Sequence, residues 1–503
     1  MPFTLFNNCN LVESKRNRTV KCSILVFNDK IFKLIFHKPG NEKLIYHLRC
    51  IRPDLQIINL ENKYVIPGFT DSHTHLLAHG IELQRVDLSK CCSLDECLQK
   101  LSTAKNRDII FGVNWDESLW IKGKKEVLNR VLLDRISRDK PVILRRVCGH
   151  CAVCNTKALE SVQKHWKIVD RKSGWLYEDA ALYLNQIFKP SIEMYKKGLK
   201  IAIKEALSLG ITSINEITDI AGFTIYQAFK KYLKLRVAIY IQNGLRSAIN
   251  MGLESNLGDE FLKFAGVKIF IDGSIGARTA ALRKPYQNSK NHGKLLISEE
   301  KLLSIVKMAQ DNSIQLMIHS IGDRSTDLVL NALKLAGLGK NPLRHRLEHL
   351  EILDSKQIRE IARLNLIASM QPNFLRWQLP GNMYEINLGH RYKNMNCFKT
   401  VEKAGIKSIL GSDCMPLGPL YGISLLVKHP SDAVRLTPAE AIALYTEIPP
   451  YATFDEDKKG KIEEGYFADF VVINKNPLIK ENLEGMKILN VVVGGEIVYR
   501  AKS

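Results

Sequence analysis

Short apolar runs recur through the middle of the chain, and each stops at a polar or charged residue. Thr212–Glu216, Arg236–Gln242, Gly266–Ile271, Ile314–His319, Arg344–His349, Leu366–Met370 and Ile406–Gly411 read as buried strands. Between them the apolar spacing becomes helical, clearest over Glu299–Asp311, Asp323–Ala336 and Ser355–Leu364. Val65–Ile66, just ahead of Pro67-Gly68, supplies an eighth strand candidate. Strand and helix in alternation imply parallel strands. Eight such strands predict an α/β fold of the (β/α)8, TIM-type barrel class.

The two ends of the chain follow a different rhythm. Ser23–Phe27, Ile31–Phe36 and Gln56–Leu60 are short strand candidates at one end, and Phe470–Ile473, Ile488–Val493 and Glu496–Tyr499 at the other. Neither group can bury both its faces alone. Chain termini often lie close in space, so residues 1–64 and 456–503 are expected to form one small β-sandwich. The barrel then takes residues 65–78 and 208–455. Residues 79–207 are too long for a strand–helix loop and predict an inserted α/β subdomain after the first barrel strand. That block holds Trp115, Trp120, Trp166 and Trp175, four of the five tryptophans.

Composition narrows the class of protein. Of 503 residues, 45% are hydrophobic and 25% charged, the balance of a soluble globular chain. No apolar run is long enough for a transmembrane helix, and the first residues lack a basic segment followed by an apolar core, so no signal peptide is expected. Eleven cysteines in such a chain read as reduced thiols, which points to a cytoplasmic location. Cys148, Cys151 and Cys154, with His150 among them, carry either a structural metal or no special chemistry. The net charge of +21 raises nucleic acid as a partner, but the lysines are scattered and no recognition motif accompanies them. A small-molecule substrate is expected, with no specific nucleic acid and no membrane; assembly as a homodimer stays open.

In a barrel of this class, polar residues at the C-terminal strand ends read as catalytic. His73 and His75 stand at alternate positions after Val65-Ile-Pro-Gly-Phe-Thr-Asp-Ser, so in a strand they share a face. Lys268 lies inside the fourth run, His319 ends the fifth, His349 ends the sixth, and Asp413 follows the eighth. Singly these are a capped histidine, a snorkelling lysine or a turn aspartate. Together, in order around one barrel, imidazoles and a carboxylate suit zinc best, with iron, manganese or cobalt as alternatives.

The set His73-Thr-His75, Lys268, His319, His349 and Asp413 resembles the amidohydrolase superfamily. Longer stretches resemble its amidohydrolase 3 branch, which includes N-substituted formamide deformylase-like enzymes. These are Pro67–His75; Trp115-Asp-Glu with Trp120; Leu144–His150 with Asn155–Leu159; Val267–Ala280; His319–Arg324; Arg344–His349; Gly411–Asp413; and Gly465–Asp469. Cys148 departs from the acidic residue expected before Gly-His.

The resemblance implies a carbamate on Lys268 bridging two divalent metals, zinc ions in the family's pattern, with one ion as the simpler variant. His73, His75 and Asp413 would hold one metal, and His319 and His349 the other. Asp413 would act as general base and then acid. The implied reaction is hydrolysis of a C–N bond in an amide, formamide or cyclic amide by a metal-activated hydroxide. Asp272, Arg278, Asp323 and Arg324 either line the substrate pocket or fix loops through salt bridges. Trp115 and His150 either cover the barrel mouth or belong to the insertion's core. The alternatives are a mononuclear deaminase of a cyclic substrate, and a non-catalytic binding barrel.

Overall fold

The computed structural model describes residues 3–37, 48, 50, 52–117, 120, 128–146, 151–162, 169–177 and 179–502. They fall into two compact units, residues 1–76 with 203–503, and residues 77–202. The passages between the units lie within the helices Leu76–Glu82 and Ile192–Ser208.

Eight parallel strands form a nearly closed barrel in the first unit. They are β1 (Phe69–Thr74), β2 (Ile211–Thr218), β3 (Arg236–Gln242), β4 (Leu262–Phe270), β5 (Gln315–Ser320), β6 (Arg346–His349), β7 (Ile367–Met370) and β8 (Ser408–Leu410), hydrogen-bonded in that order. Every residue of β1, β5, β6 and β7 is buried, as parallel strands covered on both faces require. The loop after β8 meets β1: the Asp413 amide donates to the His73 carbonyl at 2.8 Å, and the Ser412 amide to Asp71 Oδ1 at 2.8 Å. Ile217, Ala238, Tyr240, Ala265 and Met317 pack into one apolar cluster across β2 to β5.

The helices follow their sequence signals. In α1 (Glu299–Asp311), Ser298 caps the Lys301 amide, and Leu302, Val306 and Ala309 form the buried stripe. The next helix, α2 (Asp323–Leu335), buries Val329, Leu330 and Leu333. A reciprocal capping box between Asp354 and Gln357 opens α3 (Ser355–Arg363).

Val65–Ile66 is not the first barrel strand. Both residues belong to the strand Gln56–Pro67, where Val65 pairs with Val472 and Ile66 with Val471. The changeover falls at Gly68. Its amide donates to the Asp469 carbonyl at 3.0 Å, whereas the next amide, Phe69, donates to Gly210 at 3.1 Å and enters the barrel. A Cβ at position 68 would stand 2.1 Å from Thr212 Oγ1, so only glycine lets the chain pass so close to β2.

Strands from both ends of the chain join one seven-stranded sheet. Its order is Glu496–Arg500, Ile488–Val493, Phe470–Ile473, Gln56–Pro67, Phe3–Glu13, Arg18–Phe27 and Lys30–Phe36. One cluster gathers Phe6, Ile24, Val65, Phe470 and Val492; another gathers Leu5, Leu25 and Ile35. Arg236 at the start of β3 clamps Asp469 with two hydrogen bonds of 2.6 and 3.0 Å, tying this sheet to the barrel.

Residues 77–202 carry a six-stranded sheet in the order Val169–Asp170, Trp175–Tyr177, Cys151–Cys154, Val142–Arg146, Ile110–Trp115 and Val86–Asp87. Trp115 is buried in its core, stacked on Trp120 at 5.8 Å and edge-on to Trp175 at 5.9 Å. No helix among the described residues is long and apolar enough to cross a membrane.

Two buried lysines at the N-terminal end of the barrel share one carboxylate. Lys263 Nζ lies 2.7 Å and Lys459 Nζ 3.1 Å from Asp455 Oδ2. Burial pushes the Asp455 carboxyl up, but Lys459 and Lys263 outweigh it and hold it at about 2. A carboxylate lowered in the fold stabilises it above the unfolded pKa and loses that contribution as pH falls through the folded one. Asp455→Asn is therefore expected to destabilise the fold by about 3–5 kcal/mol near neutral pH, since it strands two buried ammonium groups. The gap to the parent should narrow as pH falls below about 4. Denaturant titrations of both proteins across pH check this; a gap that stays constant into acid would contradict it.

Candidate metal centre

The six residues expected to bind metal come together at the C-terminal end of the barrel. His75 Nε2 lies 3.4 Å from Asp413 Oδ1, and His73 Nε2 lies 3.8 Å from the same oxygen. Lys268 Nζ is 3.5 Å from His73 Nε2. Ligand atoms of His73, His349 and Asp413 lie within 4.8 Å of one another, the one such group among the described residues. The His319 ring centre is 4.5 Å from that of His349, which is 4.8 Å from that of His73.

Backbone geometry aims several of these groups. His349 and Leu350, at the end of β6, have φ of 73° and 49°; Asp413 and Cys414, after β8, have 53° and 54°. Non-glycine residues seldom hold the left-handed region, and such strain gathers at functional sites. At Leu350 and Cys414 no local side-chain habit favours it.

Hydrogen bonds fix the imidazole tautomers. His75 Nδ1 donates to the Ile217 carbonyl at 3.2 Å, and His319 Nε2 to the Gly273 carbonyl at 3.1 Å; a carbonyl can only accept. His73 Nδ1 meets Glu348 Oε2 at 2.5 Å, and His349 Nδ1 meets Gln371 Oε1 at 2.7 Å. Burial and then the nearby Lys268 hold His75 at about 4 and His319 at about 3. His73 and His349 are pushed well below the usual histidine value, by burial first. The rings are thus neutral near pH 7, with the proton on the nitrogen facing away from the cluster.

This donor set fits a metal ion. Lone pairs of neutral imidazoles face the Asp413 carboxyl at 3.4 and 3.8 Å. A divalent cation bound between them would turn that arrangement into strong attraction, and nitrogen with carboxylate oxygen is the ligand chemistry of zinc and similar ions. Burial lowers Lys268 to about 8 despite the opposing pull of Glu348 and Asp413. Burial likewise raises Asp413 to about 7, partly offset by Lys268.

The expected substrate contacts are placed less uniformly. Asp272 accepts the Ala281, Ile321 and Gly322 amides at 2.9, 3.1 and 2.9 Å and Ser325 Oγ at 2.7 Å. It fastens the loop after β4 to the loop after β5. Asp323 accepts the Arg283 and Arg324 amides at 2.8 and 2.9 Å. Arg278 Nε donates to Asn387 Oδ1 at 2.7 Å. The exposed Arg324 lines a cleft of about 670 Å³ among α1, α2 and α3. Trp115 sits in the core of its own unit, and His150, like Cys148, lies outside the described residues.

Several supporting residues carry no role in the sequence reading. Asp71 accepts the Ser412 amide and holds the loop that presents Asp413. Glu216 on β2 accepts Thr74 Oγ1 at 3.0 Å and the Leu76 amide at 2.7 Å, gripping the chain on both sides of His75. Glu348 and Arg346 lie fully buried on β6. Their signal was available: two opposite charges at alternate positions, either side of Leu347, inside a strand candidate.

These features, a (β/α)8 barrel with histidines, a lysine and an aspartate at its strand ends, define a metal-dependent hydrolase class. Residues 56–499 match the model of the amidohydrolase family, and the chain belongs to that family. YtcJ of Bacillus subtilis is 29% identical over 489 residues, covering 89% of this chain and 91% of its own. The N-substituted formamide deformylase of Arthrobacter pascens is 23% identical over 499 residues, covering 89% and 90%. Among solved structures, an uncharacterised metal-dependent hydrolase from Pyrococcus furiosus superposes with a TM-score of 0.83 at 26% identity, covering 95% of this chain and all of its own.

Proposed function

We propose that this protein hydrolyses a C–N bond other than a peptide bond, in a small amide, formamide or cyclic amide. The reading rests on one observation above all: neutral imidazole lone pairs converging on a half-buried carboxylate and a buried lysine. His73, His75 and Asp413 would hold one divalent ion, and His319 and His349 a second, with zinc as the metal. The name of the Arthrobacter pascens relative supports formamides as one substrate class. Eleven cysteines suit a reducing compartment, and the cytoplasm is the proposed location.

Lys268 is suited to carry a carbamate. Its amine must be unprotonated to attack carbon dioxide, and burial favours that form. The new N–C bond releases one proton and leaves a carboxylate, which offers two oxygens where the amine offered one nitrogen. A bound divalent ion supplies Lewis-acid polarisation of the substrate carbonyl and makes water acidic enough to attack near neutral pH. Asp413 then has the proton work. Its carboxylate takes a proton from the attacking water as the oxygen bonds to the carbonyl carbon. It returns that proton to the departing nitrogen as the C–N bond breaks, leaving an acid and an amine.

Chelation followed by refilling tests the reading. Protein stripped of metal is expected to lose activity against a panel of N-formyl and N-acyl amines. Zinc with bicarbonate should restore metal content and activity together. A chain that stays metal-free in zinc and bicarbonate would overturn the proposal.

A further inference from the structure

The metal-facing cluster rests on an ion pair deeper inside the barrel. Glu348 and Arg346 are both fully buried on β6. Arg346 Nε donates to Glu348 Oε1 at 2.6 Å and Nη2 to Oε2 at 3.1 Å. The same Nη2 reaches the Ser72 carbonyl at 2.6 Å and Ser369 Oγ at 2.7 Å, so the guanidinium ties β6 to β1 and to β7. Glu348 Oε2 then meets His73 Nδ1 at 2.5 Å.

The other three imidazoles are held differently. His75, His319 and His349 rest on neutral oxygens, those of Ile217, Gly273 and the Gln371 side chain; Asp272 stands further off, 3.5 Å from His319. His73 is thus the ring with a direct carboxylate hydrogen bond. A carboxylate behind a ligand histidine fixes the ring's tautomer and orientation and raises its basicity. A lone buried carboxylate would be costly, and the guanidinium offsets that cost.

We propose that Glu348 is the positioning residue of the metal centre: with Arg346 as counter-ion, it keeps the His73 proton on Nδ1 and aims the Nε2 lone pair at the site shared with His75 and Asp413. The role rests on the metallohydrolase reading above, and it makes a separate prediction. Weakening this support affects the ion bound by His73, His75 and Asp413 more than the one bound by His319 and His349.

Glu348→Gln keeps the size and one acceptor oxygen and removes the charge. Metal titration with zinc, or with cobalt followed by its absorption, is expected to show affinity at one site reduced about 10–100-fold. Asp469→Asn, which breaks the Arg236 clamp far from the cluster, serves as the control: its thermal midpoint should fall while metal affinity stays at the parent value. A Glu348→Gln protein that binds both ions as the parent does, or that loses stability without losing affinity, overturns the proposal. If Glu348→Gln does not fold, nitrogen-15 histidine spectra of the zinc-loaded parent decide the matter. A proton on Nδ1 of His73 supports the assignment, and one on Nε2 sinks it. A parent protein that takes up no metal removes the metallohydrolase reading itself, a result distinct from either of these.

Discussion

Asparagine in place of Asp413 is expected to lower kcat by about 10³–10⁴-fold, while most of the bound metal remains. The side chain keeps an oxygen at the position that faces His75 and His73, so ligation is weakened more than abolished. What it loses is the ability to take and return a proton. General acid–base catalysis contributes about 10²–10⁴-fold, and in the proposed reaction the same carboxylate serves both halves, which places the expectation toward the upper end. Metal analysis and steady-state kinetics on the same preparation separate the two effects. A variant that retains its metal and its kcat would remove Asp413 from the proton path. The basic character of the residue also shows in the parent. Burial raises its carboxyl to about 7 without a metal, and a neighbouring cation favours the charged form and moves it back down. The acid limb of the parent's kcat/KM profile is therefore expected at lower pH with the site filled than the metal-free carboxyl would give.

Lys268→Ala should be nearly as damaging, by a different route. If Lys268 carries an oxygen ligand as proposed, its loss would remove several kcal/mol of charge stabilisation, which corresponds to about 10³-fold in rate. Metal stoichiometry should fall with it. The truncation leaves a void lined by His73 and Phe270, whose ring centre lies 5.1 Å from the native ammonium. A small carboxylate such as acetate or propionate can enter that void and supply the missing oxygens. Partial return of metal and activity on adding it, together with the metal, is the expected result. A variant as active as the parent would favour the mononuclear deaminase alternative and remove the carbamate.

Much of the barrel was legible because burial on both faces leaves parallel strands as plain apolar runs. Seven of the eight predicted strands overlap the observed ones. The eighth, Val65–Ile66, misled because an apolar pair before Pro-Gly looks the same whichever sheet it joins. The decision is made by tertiary contact: the Gly68 amide still serves the terminal sheet, and the Phe69 amide already serves the barrel. The strand Phe3–Glu13 went unread for a related reason. Its polar residues Asn7, Asn8 and Asn10 obscure the alternation, and a register shift lies between Phe6 and Cys9.

At the site, the groups that end strands were visible as interruptions of an apolar pattern, and position around the barrel did the rest. The residues that steady them were harder to see. Asp71 and Glu216 act through backbone amides of segments remote in sequence, Ser412 for one and Leu76 for the other, and no local spacing encodes such a partner. Asp272 shows the converse. Its place directly after β4 left substrate contact and loop fixing both open, and its oxygens are taken up by three amides and a hydroxyl.

The closure of β8 against β1 has a consequence for how the protein matures. His73 and His75 leave the ribosome before Asp413, whose amide closes the ring on the His73 carbonyl and which is made about 340 residues later. Until then the nascent chain holds histidines with no carboxylate to complete their site and an open sheet edge beside them. The strand that precedes them also waits, for its partner Phe470–Ile473 comes later still. Completion of the His73, His75 and Asp413 cluster is thus an event of the finished chain, and a ribosome stalled after β7 presents a polypeptide that has neither that cluster nor its closed barrel.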